Sequence, residues 1–217
     1  MDAHQHPPRS EATQGADRGL DESMLAPDPV DQFSAWLADA IAAGLPEPNA
    51  MVLSTVSAAG RPRSRSVLLK DHSLAGLVFY TNRTSAKAHD LAANGYASVL
   101  FPWYALRRQV IAHGPVTPLS PAESEPYFHS RPHGSQLGAW ASRQSSVIES
   151  RAVLEDAYAK LEQRWPEGAQ VPMPDFWGGY RLVPEIVEFW QGRLNRLHDR
   201  LRYRRDGARW LVERLSP

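Results

Sequence analysis

The densest concentration of side chains able to do chemistry lies between Glu188 and Arg205, in the stretch EFWQGRLNRLHDRLRYRR. Read at a period of two, Arg196, His198, Arg200, Arg202 and Arg204 fall on one face and Leu197, Asp199, Leu201 and Tyr203 on the other, as in a half-buried strand. A basic sheet face is ordinarily just solvated. Here, however, Trp190 and Gln191 stand immediately upstream, with Gly192 between them and the basic run. An aromatic plane, an amide, guanidinium forks and an imidazole within one hairpin have the chemistry to cradle a flat, phosphorylated ligand.

Further cations, Arg65, Lys70, Lys87 and Arg131, are scattered among hydroxyls and amides. Together with Arg196 and Arg200 they suit the binding of more than one phosphate-bearing small molecule. The segment from Thr81 to Ser85 leads into a predicted helix with Lys87 in its first turn, an arrangement that can hold a phosphate as well as serve as an ordinary serine cap. No Gly-x-Gly-x-x-Gly follows a predicted strand, and no Walker-type loop, His-Glu-x-x-His or nucleophile elbow occurs. The chain has no cysteine, which excludes disulfides and thiolate metal sites and fits a reducing cytoplasm. His4 and His6 lack a neighbouring carboxylate scaffold and read as inert. Difficult chemistry therefore falls to an organic cofactor.

The elements that must position these groups follow from pattern. The 217 residues with 42% hydrophobic content suffice for one domain with a sizeable core. Lys+Arg and Asp+Glu balance at 24 each, which disfavours a globally cationic nucleic-acid binder. No apolar run approaches bilayer length and the first residues lack a signal-peptide core, so a cytoplasmic protein is expected. Residues 1–27, rich in Pro, Gly, Ser and Asp, read as a flexible tail, and residues 28–217 as the working domain. Asp28-Pro29 opens a packing helix that Gly44 stops.

Strands are predicted over 51–56, 63–69, 77–80, 97–101, 108–112 and 116–119, the last after a turn at Gly114-Pro115. Ser120 to Glu123 is a capping box. The polar stretch 129–146 reads as a loop, and 147–165 as a long helix burying Val153, Leu154, Ala157, Tyr158 and Leu161. Strands over 185–191, 196–205 and 208–215 close the chain, the last pair joined at Asp206-Gly207. Many strands with interspersed helices and no regular βαβ alternation predict a mainly β, α+β fold: an antiparallel barrel decorated by helices.

Six stretches, RSVLLK, VFYTNRTSAKAHDL, LFPWYALRRQV, YFHSRPHGSQLGAWASRQSS, FWGGYR and EFWQGRLNRLHDR, closely resemble the pyridoxamine (pyridoxine) 5'-phosphate oxidase family, in order from about Asp28 to the last residue. The resemblance implies an FMN-binding split β-barrel homodimer with FMN at the subunit interface. It also implies oxidation of pyridoxine or pyridoxamine 5'-phosphate to pyridoxal 5'-phosphate, with O2 reduced to H2O2. By motif, Arg65, Ser66, Val67, Leu68, Leu69, Lys70, Tyr80, Thr81, Lys87, Gln109, Gln144, Ser145, Trp190 and Arg200 resemble FMN contacts. Lys70, Tyr127, Arg131 and Ser135 resemble the grip on the substrate phosphate. Arg196 and His198 resemble the family's catalytic groups over the substrate ring, Arg196 holding the substrate against the flavin and His198 assisting in orientation or proton handling, and two positions apart on a strand they would project together.

Two departures stand out. Many relatives carry an arginine where this chain has Ala86, with Arg83 a candidate substitute, and residues 1–27 contain no tyrosine to close over substrate. A same-fold flavoenzyme acting on a phenazine precursor, and a non-enzymatic flavin or pyridoxal-phosphate binder, are the alternative readings.

Overall fold

The computed structural model describes residues 19–217; His4 and His6 lie outside them. The first helix, α1 (Pro29–Ala42), starts where expected, with the Asp28 carboxylate accepting the Val30 N–H at 2.7 Å. It turns Phe33, Trp36 and Ala40 into the core. The strands β1 (Ala50–Val56), β2 (Pro62–Leu68), β3 (Asp71–Ser73) and β4 (Gly76–Asn82) lead to α2 (Ala86–Ala93), and β5 (Tyr96–Trp103) and β6 (Arg108–Pro118) follow. Three helices, α3 (Pro121–Ser130), α4 (His133–Ala141) and α5 (Arg151–Arg164), precede β7 (Trp177–Leu182), β8 (Ile186–Gln191), β9 (Asp199–Asp206) and β10 (Arg209–Arg214).

All pairings are antiparallel, in the order β10-β9-β8-β6-β5-β1-β2, with β4 and β7 forming a branch that returns to β6. The sheet curls into a split barrel. Its interior holds Phe33 and Trp36 from α1 against Leu53, Phe79, Phe101, Phe189, Leu201 and Tyr203. A second, smaller cluster of Phe128, Leu137, Val171 and Trp177 sits beneath α3 and α4.

The curl depends on β6. Its first half pairs with β8, from Arg108↔Gln191 to His113↔Ile186, and its end with β7, from Val116↔Leu182 to Pro118↔Tyr180. The expected turn at Gly114-Pro115 is instead a bend within one continuous strand. Proline donates no hydrogen bond to a ladder, so the bend falls where β6 changes partner. Gly114 is required there because a methyl group would come within 2.0 Å of the Val183 carbonyl oxygen.

Other expectations are corrected. The stretch 129–146 contains α4, with Gln136 and Leu137 buried; Gln136 donates to the Arg131 carbonyl at 2.9 Å, which is how a polar side chain is accommodated at that depth. Helix α5 begins four residues later than predicted and buries none of its residues, leaving Val153 and Leu154 exposed while Tyr158 and Leu161 pack on the smaller cluster. Among the described residues its main neighbour is α4. The final basic run is not one strand, because residues 192–198 form a loop with a short 3-10 turn, Leu194–Arg196. Residues 19–27 are also packed rather than trailing: Leu20 is buried, and Glu22–Met24 forms a 3-10 turn. Polar composition hid this because the anchoring partners, Asp199 and Arg214, lie at the far end of the chain. No described helix is long and apolar enough to cross a membrane.

Gly114→Ala is expected to lower stability by about 1–3 kcal/mol through overpacking against backbone. Thermal unfolding should register this as a drop of roughly 2–4 °C per kcal/mol.

Candidate active site

Two groups of the predicted site residues assemble at separate places. The first lines a cavity of about 600 Å³ between β2, β4 and the helices α3 and α4. Ser66, Val67, Leu68 and Lys70 enter from β2 and the link after it, Tyr80 and Thr81 from β4, Lys87 from α2, and Tyr127, Arg131, Ser135 and Gln144 from the helical side. Leu69, just past the end of β2, turns away into the main core instead.

Lys87 is buried, and its ammonium donates to Gln144 Oε1 at 2.6 Å and to Thr81 Oγ1 at 3.1 Å. Thr81 donates in turn to the same Gln144 oxygen at 2.8 Å. No carboxylate is among these partners, so burial, with a further contribution from the Arg65 charge, pulls the Lys87 pKa down to about 8. A desolvated ammonium held only by neutral oxygens is electrostatically incomplete, and an anion completes it.

Arg65 sits behind the cavity wall. Its guanidinium donates to Thr55 Oγ1 at 2.6 Å and the Leu53 carbonyl at 3.2 Å, and lies 3.6 Å from the buried Asp90 carboxylate. Asp90 also receives Arg63 at 3.3 Å and Thr55 at 2.7 Å. One carboxylate thus faces two guanidinium groups, and the Lys87 ammonium adds a third cation to the cluster. Arg83, the candidate substitute for a cation at Ala86, points elsewhere: it donates to the Leu119 carbonyl at 2.7 Å and packs over Gly178.

At the helical side Tyr80, Tyr127 and Trp177 form a cluster of near-parallel rings, with Tyr80 4.1 Å from Tyr127 and 5.2 Å from Trp177 between ring centroids and the latter two 6.2 Å apart. Burial raises the Tyr80 pKa, with the Tyr127 hydroxyl adding to the shift. The Arg131 guanidinium lies 4.9 Å from the Trp177 ring centroid and donates through one nitrogen to the Ser135 carbonyl at 2.7 Å. Its other terminal nitrogen, Nη1, is buried without a partner among the described residues. Lys70 stands 5.8 Å from the Tyr127 ring centroid. Two cations and the hydroxyls of Tyr127 and Ser135 therefore converge where an oxyanion would satisfy the orphaned N–H. The residues present fit a flat ring carrying a phosphate.

The second group lies on β6, β8 and β9, where Gln109↔Trp190 and Trp190↔Arg200 are cross-strand pairs that form one row. None of Gln109, Trp190, Arg196, His198 and Arg200 lines the cavity. Arg200 is held by Glu188 in a fork at 2.8 and 3.1 Å. Arg202 and Arg204 both pair with Glu213. The basic face expected from the alternation is thus largely neutralised by acids on neighbouring strands, which the one-strand reading could not include.

Arg196 and His198 are set by a loop and not by strand alternation. Asn195 and Arg196 have φ of 56° and 62°, in the left-handed region that costs a non-glycine residue energy. Arg196 is exposed; the His198 ring lies 4.6 Å from that of Trp190. The Arg193 backbone N–H donates to His198 Nδ1 at 3.0 Å. Nδ1 is therefore an acceptor, the proton of the neutral ring sits on Nε2, and His198 offers that N–H as a donor. Ser145, beside Gln144, is likewise left-handed with φ of 73°. Sequence reasoning missed Asp90 and Thr55, which hold Arg65; an acid three residues after Lys87 on a helix was the available signal.

The pyridoxamine 5'-phosphate oxidase profile matches residues 37–165, and that of the pyridoxine 5'-phosphate oxidase C-terminal dimerisation region matches residues 177–217. The chain is 56% identical over 203 residues to a pyridoxine/pyridoxamine 5'-phosphate oxidase of Salinispora arenicola, covering 93% of this chain and 92% of the relative. It is 58% identical over 205 residues to the protein of the same name from Streptomyces avermitilis, covering 92% and 91%. Among solved structures, PhzG from Burkholderia lata 383 in complex with tetrahydrophenazine-1-carboxylic acid superposes with a TM-score of 0.87 at 33% identity, covering 94% of this chain and 100% of that one. With both profiles matched in series and relatives more than half identical over nearly the whole length, the chain belongs to the pyridoxamine 5'-phosphate oxidase family of flavin-dependent oxidoreductases.

Proposed function

We propose that this protein binds FMN and oxidises pyridoxine 5'-phosphate and pyridoxamine 5'-phosphate to pyridoxal 5'-phosphate in the cytoplasm, with O2 reduced to H2O2. The observation that carries the reading is the convergence of Lys70, Tyr127, Arg131 and Ser135 around an unsatisfied, buried guanidinium N–H. That set fits the phosphate of the substrate. Lys87 and Arg65 serve the FMN phosphate, with Ser66 to Leu68, Tyr80, Thr81, Gln144 and Ser145 around the remainder of the cofactor. The bound flavin supplies the two-electron chemistry that no side chain here possesses.

The active unit is a homodimer, in which the cavity of one protomer is completed by the β8–β9 group of its partner. Support comes from the separation of the two residue groups within one chain and from the dimerisation-region match over residues 177–217. Exposed apolar side chains at Val147, Ile148, Val153, Leu194 and Leu197 add to it. In the completed site Gln109, Trp190 and Arg200 address the flavin, while Arg196 and His198 hold the substrate ring against it. His198 acts as a hydrogen-bond donor through Nε2, which orients the substrate without the histidine exchanging its proton.

A second reading, oxidation of a phenazine precursor, is favoured by the likeness to PhzG. The two differ at the anion: a phosphate ester needs the Lys70 and Arg131 pair, whereas tetrahydrophenazine-1-carboxylic acid carries only a carboxylate. Purified protein is expected to be yellow and to form peroxide with pyridoxine 5'-phosphate. Peroxide with tetrahydrophenazine-1-carboxylic acid but none with the phosphate ester would replace this reading with the second.

Two variants separate the roles. Arg196→Ala is expected to lower turnover by about 10- to 100-fold through lost alignment while retaining FMN. Arg65→Ala is expected to weaken FMN binding by about tenfold or more, because it removes a positive charge from behind the phosphate site and leaves the buried Asp90 carboxylate short of a partner, with a smaller effect on the turnover of flavin-saturated enzyme. Equal effects of both variants on both quantities would refute the division.

Lys87 sets a pH dependence. Its pKa of about 8 in the empty site rises when a phosphate binds, so FMN affinity is full below about 8 and declines as pH rises through that value. The decline approaches about tenfold per pH unit for one coupled proton. Fluorescence titration of FMN should show this slope above pH 8 in the wild type and its loss in Lys87→Met.

A further inference from the structure

The loop carrying Arg196 and His198 has little of its own to hold it. Asn195 and Arg196 both adopt left-handed backbone, and Leu194 and Leu197 are exposed, so within one protomer apolar burial contributes almost nothing. The Gly192 N–H donates to the Arg107 carbonyl at 2.7 Å and His198 packs on Trp190, and beyond these the loop is met by a polar cluster centred on Asp199, the residue after His198. Asp199 Oδ2 accepts the Leu20 N–H at 3.0 Å and lies 3.6 Å from Arg193 Nε. Its Oδ1 accepts from Arg214 Nη1 at 3.0 Å. Arg214 then forks onto Glu22, at 2.8 Å through both Nε and Nη2, and reaches the Leu20 carbonyl at 3.2 Å.

Asp199 therefore joins the packed segment 19–24, the last strand and Arg193. The packing is close: Leu20 is buried, and a methyl group at Gly19 would come within 2.7 Å of Arg193 and 2.9 Å of Asp199. Arg193 is also the residue whose backbone N–H holds His198 Nδ1. Displacing Arg193 would release His198 from its tautomer and its contact with Trp190 together.

We infer that Asp199 is a positioning residue for the reaction: its carboxylate clasps the 192–198 loop to the segment 19–24 through Arg193 and Arg214, and so fixes Arg196 and His198 over the substrate. The inference rests on the roles proposed above for those two residues. It assigns a task to residues 19–24 and to Arg214, which touch neither the cavity nor the Gln109–Trp190–Arg200 row.

The test uses the flavin-loaded enzyme with Asp199→Asn, which keeps the side-chain shape and removes the charge. Anaerobic flavin bleaching by saturating pyridoxine 5'-phosphate is expected to slow by about tenfold through misalignment. The FMN dissociation constant should stay within about twofold, and exchange of the Arg193 amide should accelerate by about tenfold as the loop opens locally. A purely structural role would lower thermal stability and FMN affinity in step with the rate, and that outcome overturns the inference, as do an unchanged rate and unchanged exchange. Should Asp199→Asn fail to fold, Arg214→Gln carries the same test, because it weakens the clasp by removing the link from Asp199 to Glu22 and leaves Asp199 in place. If the wild type itself is not bleached by the phosphate ester, the substrate reading falls while the clasp is decided by Arg193 exchange alone: faster supports it, unchanged refutes it.

Discussion

Strand β6 is the constraint on which the rest of the structure depends. Backbone hydrogen bonds must be satisfied on both edges of a central strand, and β6 meets that demand by pairing with β5 along one edge and with β8 and then β7 along the other. The change of partner at Gly114-Pro115 bends the sheet into a split barrel. It also sends the two halves of the site in different directions. The β4–β7 branch carries Tyr80, Thr81 and Trp177 to the cavity, while β8 and β9 carry Trp190 and Arg200 away from it. Residues 109 and 190 are cross-strand neighbours because of this one strand's register.

The distribution of charge separates structural from chemical cations. On β9, Arg200, Arg202 and Arg204 each meet a carboxylate from a neighbouring strand, and such half-exposed pairs contribute modestly to stability. Around the cavity the balance is different. Lys87 has only neutral oxygens as partners, Arg131 keeps a buried N–H unsatisfied, and the pKa of each is lowered chiefly by burial. Leaving cations in that condition costs folding free energy. A site that binds phosphates regains it when the anion arrives.

Much of the architecture was legible because local signals were strong. Asp28-Pro29 set the start of α1, the Ser120–Glu123 box set that of α3, and Asp206-Gly207 marked the last hairpin. The misreadings share a cause. Residues 129–146 look too polar to be packed, yet Gln136 is buried because the Arg131 carbonyl receives its amide. Segment 19–27 looks like tail, yet Leu20 is fixed by Asp199, which is 179 positions away. Helix α5 has an apolar stripe of which Val153 and Leu154 stay exposed, while Tyr158 and Leu161 are packed. For segment 19–27 the deciding partner is remote in sequence, and for Gln136 it is a backbone carbonyl whose position only the fold sets.

By itself the sequence determined the chemical inventory: which residues carry cations, hydroxyls and aromatic planes, the absence of cysteine, and the ordered motifs that mark the family. Residue type is local, and alternation or capping needs only a few neighbours to be read. Tertiary structure alone decided which cations are free for ligands and which are spent on acids, that Arg65 is held by Asp90, and that Arg196 and His198 stand on a clasped loop. Those outcomes depend on desolvation and on pairings between residues far apart in the chain, which no window of sequence contains.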